Sequence, residues 1–150
     1  MPQSLANVLI HIIFSTKNRA PFIEPDIQDT LYAYLATATR TCGCPAHKIG
    51  GTTDHVHIVC SLVRTMTIAE LVGTIKADSS KWIKTQRVTL NDFSWQNGYG
   101  AFSIGQSQLE TVRNYITQQN EHHRTLTFQE EFREFLQRYE IKYDERYIWD

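Results

Sequence analysis

The chain has few of the residues that staple, break or anchor a polypeptide. Its 150 residues include three cysteines, four prolines and seven glycines. An odd cysteine count argues against a disulfide framework and for a reducing compartment. No Pro/Gly-rich linker, low-complexity tract or internal repeat divides the sequence, so residues 1–150 read as a single domain. Long hydrophobic runs are also missing. Val8 to Phe14 is interrupted by His11 and is far too short to span a bilayer. No positively charged segment precedes it, so neither a secretory signal nor a membrane role is expected. Charge of one sign is not in excess either. Fifteen Lys and Arg against sixteen Asp and Glu leave a net charge of −1. Bulk charge therefore gives no argument for nucleic-acid binding, which would need basic residues gathered on one face.

Alternating and helical patterns fill the chain. Asn7 to Ser15, rich in β-branched residues, reads as a first strand. A loop punctuated by Pro21 and Pro25 leads into a helix from about Asp26 to Arg40, with Ile27, Leu31, Tyr34, Leu35 and Ala38 on one stripe. Lys48 to Thr52 and His55 to Leu62 read as two strands joined at Thr53-Asp54. Thr67 and Glu70 have the spacing of a capping box, opening a second helix with Ile68, Leu71, Val72, Ile75, Trp82 and Ile83 on its apolar side. Residues 88–99 form a loop carrying Phe93, Trp95 and Tyr99, and Ala101 to Gly105 reads as a fourth strand. Ser107 with Glu110 predicts a helix running to about His122, and Thr127 with Glu130 another to about Tyr139. The aromatic tail, Ile141 to Asp150, is expected to pack back on the body. The order β-α-β-β-α-β followed by two helices predicts an α+β, ferredoxin-like fold with an antiparallel sheet. Two helices cover one sheet face in this reading, and the other is free for a site or partner.

Residue chemistry concentrates in two stretches. In "DHVHIVC" (Asp54 to Cys60), His55 and His57 project to the same face of a strand, about 7 Å apart along the backbone, while Val56 and Ile58 point into the core. Two such imidazoles converge on a divalent metal or are simply hydrogen-bonded; the motif alone leaves both open. In "VRNYITQQNEHH" (Val112 to His123), Tyr115 and Gln119 have i, i+4 spacing and share a helix face that His122 continues. One reading is a half-buried tyrosine beside a solvated glutamine. The other is a phenol nucleophile beside an amide oxygen that completes a metal site. Cys42-Gly-Cys44-Pro-Ala-His47 is half of a zinc pattern without a second ligand pair, and reads better as ordinary thiols at a helix end. His11, His122 and His123 either orient ligands or phosphates or, the simpler reading, make structural hydrogen bonds. On the second helix Lys76, Ser80, Lys84 and Arg87 form a polar stripe, and Lys17 and Arg19 follow the first strand. Such a stripe is either a solvated face or a strand-binding surface, with Trp95 and Tyr99 nearby either as core residues or as candidates for stacking unpaired bases.

The ordered set His55-Val56-His57 followed by Tyr115-Ile-x-x-Gln119 resembles the HUH motif and single catalytic tyrosine of the insertion-sequence-200-like transposases and REP-associated tyrosine transposases. "HIIFSTKNR", "GGTTDHVH", "FSWQNGYGAFSIGQSQ", "YITQQNEHH" and "YDERYIWD" extend the resemblance over essentially the whole chain. It implies a metal-dependent endonuclease and strand transferase acting on single-stranded DNA with hairpins. Tyr115 would be the nucleophile, forming a 5′-phosphotyrosine. His55, His57 and Gln119 would hold Mg²⁺ or Mn²⁺, and Lys17, Arg19, Lys76, Lys84 and Arg87 would contact DNA. The resemblance further implies a homodimer in the cytoplasm of a prokaryote, close to the nucleoid. Two other readings keep the fold: a domesticated protein that processes chromosomal palindromes, and a non-catalytic nucleic-acid-binding module.

Overall fold

The computed structural model describes residues 2–150. Four strands form one antiparallel sheet: β1 (Leu9–Ser15), β2 (Ala46–Gly51), β3 (His55–Ser61) and β4 (Gly100–Ile104). Their order across the sheet is β2-β3-β1-β4, with β1 central between β3 and β4. Five helices accompany them: α1 (Pro25–Thr41), α2 (Ile68–Ile83), α3 (Leu109–Thr117), the short α4 (Gln119–His122) and α5 (Phe128–Arg138). The element order and antiparallel sheet are those expected of the ferredoxin-like α+β class.

The pleat sorts side chains to two faces. Ile10, Ile12 and Phe14 of β1, with Val56, Ile58 and Cys60 of β3, join Leu31, Leu35, Leu71 and Ile75 of α1 and α2 in the main core. The intervening β1 and β3 positions point the other way. That second face is not free, which corrects the sequence expectation. Ile13 and Phe102 lie under Phe128, Phe132, Phe135 and Leu136 of α5, with Tyr115, Tyr139, Ile148 and Trp149 packed alongside. The sheet is therefore a middle layer, and His55 and His57 are fully buried on its second face.

Local chemistry explains most boundaries. Thr67 accepts a hydrogen bond from the Glu70 N–H at the start of α2, as its spacing predicts. Thr127 and Glu130 close a reciprocal capping box at α5. The expected box at Ser107 and Glu110 does not form. Instead the Gln108 side chain accepts from the Gly105 N–H at 3.1 Å, and a short 3₁₀ turn precedes α3. The single helix expected to reach His122 is also broken: Gln118 (φ −97°, ψ 19°) leaves helical geometry, ending α3 and starting α4. Trp95 is not a surface ring. It meets Phe14 and Phe93 edge-on and donates through Nε1 to Ser79 at 2.9 Å. The tail packs back as expected, held by the Gly98 N–H donating to the Asp150 carbonyl at 2.7 Å.

Gly50 sets how closely α3 approaches β2. A Cβ there would lie 2.7 Å from Ile116 Cγ2 and 2.9 Å from the Ile116 carbonyl oxygen, one residue past Tyr115. Gly50→Ala must therefore push α3 off the sheet, at a cost of about 1–3 kcal/mol. A lower midpoint in urea denaturation with an unchanged slope is the expected result.

Candidate active site

Three elements bring the chemistry together. β3 supplies His55 and His57, the α3–α4 break supplies Tyr115 and Gln119, and α5 supplies Glu131, which is 1% exposed. Glu131 sits at the centre. Its Oε1 lies 3.0 Å from His57 Nε2, 3.2 Å from His123 Nε2 and 3.5 Å from His55 Nε2. Its Oε2 accepts from the Tyr115 hydroxyl and, at 3.0 Å, from Gln119 Nε2. Gln119 Oε1 in turn lies 2.9 Å from His55 Nε2.

The sequence expectation grouped His55, His57, Gln119 and Tyr115, and the structure brings all four side chains to one place. It also adds Glu131, which sequence reasoning missed. A signal was there: Glu131 falls on the same helical stripe as Phe128, Phe132 and Phe135, where a solvated charge does not belong. The break at Gln118 means that Tyr115 and Gln119 do not share one regular helix. His122 stacks its ring on Tyr115, with centroids 4.6 Å apart.

Both imidazoles are also held from behind. His55 Nδ1 lies 2.7 Å from Asp54 Oδ1, and His57 Nδ1 lies 2.8 Å from His11 Nε2. His11 is itself buried. A neutral His55 that donates from Nδ1 to Asp54 turns a lone pair at Nε2 toward Gln119 Oε1 and Glu131, and two acceptors cannot hydrogen-bond each other. The arrangement is satisfied by a proton on His55 Nε2 or by a cation between the acceptors. One nitrogen from each of His55 and His57 and one oxygen of Glu131 all lie within 4.8 Å of one another. Two imidazoles, a carboxylate and an amide oxygen, with the histidines backed by Asp54 and His11, suit a divalent ion such as Mn²⁺.

Burial and charge set the resting protonation. Desolvation, reinforced by the Glu131 carboxylate, raises the Tyr115 phenol well above its ordinary value, so it rests protonated. Burial alone would push Glu131 up, but hydrogen bonds from His123 and His57 overrule it and hold the carboxylate ionised. His11 is driven well below the usual histidine range by burial and then by His57. Burial also outweighs Glu131 at His57 and lowers it. At His123 the hydrogen bond and charge of Glu131 win over burial, and the imidazole is raised.

The basic residues expected to contact DNA are not gathered here. Lys76 Nζ donates to the carbonyls of Gln96, Asn97 and Gly98 at 2.8, 3.2 and 2.6 Å, clamping the loop before β4. Arg87 pairs with Asp26 at 2.9 Å and with Glu24 at 3.5 Å. Lys17 and Lys84 are exposed, and Arg19 lies over the Trp149 ring at 5.9 Å. The three cysteines are free thiols. Among the described residues, no helix is long and apolar enough to cross a membrane.

A ferredoxin-like sheet that buries a His-His-Glu cluster against a tyrosine is a scaffold for metal-dependent chemistry. The sequence profile described as "Transposase IS200 like" matches residues 4–119, and the chain belongs to that family of transposases. The match takes in His55, His57, Tyr115 and Gln119 but stops short of α5 and Glu131. Two solved structures share the fold. A protein of Deinococcus radiodurans R1, solved as a proposed transposase, is 17% identical, with a TM-score of 0.62 over 79% of this chain and 98% of that one. A REP-associated tyrosine transposase bound to a REP hairpin is 12% identical, with a TM-score of 0.60 over 82% of this chain and 72% of that one. No curated protein matches the chain.

The outer hydrogen bond of His57 is a separable part of this site. His11→Phe should weaken Mn²⁺ binding by about 10- to 100-fold. His11→Gln, whose amide can replace Nε2, should restore most of it. Calorimetric titration with Mn²⁺ reads the difference, and equal affinity in both variants would remove His11 from the metal-holding set.

Proposed function

We propose that this transposase cuts a single DNA strand by attack of Tyr115 on a phosphodiester, leaving a 5′-phosphotyrosine and a free 3′-OH. The observation that supports this most directly is the meeting of the Tyr115 hydroxyl, Gln119 and both histidines around one buried carboxylate. The phenol is protonated at rest and needs an acceptor as its oxygen bonds to phosphorus. Glu131 Oε2 already accepts that proton's hydrogen bond and so aims the oxygen. The proton ends on the departing 3′ oxygen. The new phosphotyrosine ester replaces the phosphodiester that breaks, so rejoining to another 3′-OH needs no ATP. A divalent ion held by His55, His57, Glu131 and Gln119 would polarise the phosphate and offset the charge that develops there. Mg²⁺ and Mn²⁺ both serve that role, and the imidazoles favour Mn²⁺.

The DNA in this reading is a single strand bearing hairpins at the ends of the element, as the hairpin-bound relative suggests. Of the five expected contacts, Lys17 and Lys84 are exposed to its backbone, while Arg19 rests on Trp149 and Arg87 and Lys76 are engaged in the fold. All the proposed site residues come from one chain, which favours a site assembled in cis. A homodimer, as expected from the family resemblance, is then not needed to complete it.

Wild-type protein incubated with a hairpin-bearing oligonucleotide and Mn²⁺ should give a covalent adduct that survives SDS. Tyr115→Phe and chelation with EDTA should each abolish it. Glu131→Gln should slow adduct formation by about 10²- to 10⁴-fold. An adduct formed by Tyr115→Phe would overturn the assignment.

A further inference from the structure

A second feature adjoins the tyrosine. Between α3 and α5 lies a cavity of about 360 Å³, open to solvent, whose lining includes Tyr115 of α3 and His11 of β1. The rings of Phe135 and Tyr139 line it, and its polar groups include Gln108 in the turn before α3, Thr111 of α3 and Arg138 of α5. That volume and lining are those of a small-ligand site, which typically measures roughly 300–1,000 Å³ with apolar walls and a few placed polar groups.

From this we infer that the cavity receives one unpaired base of the DNA strand, the base of a nucleotide adjoining the scissile phosphate. The inference rests on the reading of Tyr115 as the nucleophile, because that reading brings the phosphate to a residue that lines the cavity. A base next to a phosphate held by Tyr115 is unpaired in a single strand, and the ring-lined space that Tyr115 helps to form can receive it. Aromatic walls suit the face of any base, and the polar groups at the edge supply selectivity. Gln108 gives its Oε1 to the Gly105 N–H, which leaves its amide nitrogen as a donor for an acceptor on the base. Arg138 is exposed, rests its guanidinium 5.2 Å from the Phe135 ring centre and makes no ion pair among the described residues. As an exposed cation in the cavity lining, it can meet a backbone phosphate. The cavity is thus a candidate for the feature that selects where the strand is cut.

Thr111 is exposed on α3, so Thr111→Trp fills the cavity without disturbing either core. The probe is a pool of oligonucleotides with a fixed hairpin followed by a randomised single-stranded segment. Two fractions are sequenced: strands retained non-covalently without metal, and strands in the SDS-resistant adduct formed with Mn²⁺. Wild type should show about a tenfold base preference at one position next to the cut. Thr111→Trp should flatten that position alone, below about twofold, in both fractions. Arg138→Ala should weaken retention evenly across sequences and reduce its salt dependence. An unchanged preference in Thr111→Trp overturns the cavity's role, while a normal adduct in the same experiment leaves the nucleophile standing. If no adduct forms but the retained fraction loses its one-position preference in Thr111→Trp, the nicking reading falls and the base site stands. A pool with no preference at any position in either fraction overturns the base site.

Discussion

A single ionised carboxylate, buried on the second face of the sheet, is the constraint on which the site depends. Glu131 would be costly to bury alone, because an unpaired charge inside a protein loses several kcal/mol of solvation. It is tolerated because His57, His123, Gln119 and Tyr115 all turn donors toward it, with His55 close behind. The same contacts fix those side chains in place. A group that elsewhere would be a liability here sets the positions of the tyrosine and both histidines at once.

The sheet makes this possible by dividing labour between its faces. Alternate residues of β1 and β3 form a purely apolar core with α1 and α2. The positions between them carry His11, His55 and His57, and these would be orphaned if α5 did not cover them. Phe128, Phe132, Phe135 and Leu136 supply the apolar contact that docks α5, and Glu131 on the same stripe supplies the polar one. Docking and site assembly are therefore one event. Asp54 and His11 extend the network one step outward and orient the imidazoles from behind.

Much of this was legible in the sequence because it follows short-range rules. Strand alternation placed His55 and His57 together, and capping residues at Thr67 and Thr127 set helix starts correctly. What escaped was long-range or locally ambiguous. The break at Gln118 interrupts the helix expected to reach His122, and no glycine or proline marks it. Glu131 looked like one more charge in "FQEEFREF", since Glu130 and Glu131 have the same chemistry and only docking tells them apart. Trp95 and Lys76 read as candidates for binding DNA, yet the first fills the core and the second ties three carbonyls. Composition does not reveal whether a polar or aromatic group is spent inside the fold.

In the proposed function these residues form one metal centre beside a tyrosine. Crystals soaked in Mn²⁺ and measured for anomalous scattering test it directly. One strong peak is expected, bounded by His55 Nε2, His57 Nε2 and a Glu131 oxygen, with ligand distances of roughly 2.0–2.3 Å, as for other ions held by imidazole and carboxylate. A map without a peak there, or with the ion held by other residues, would contradict it.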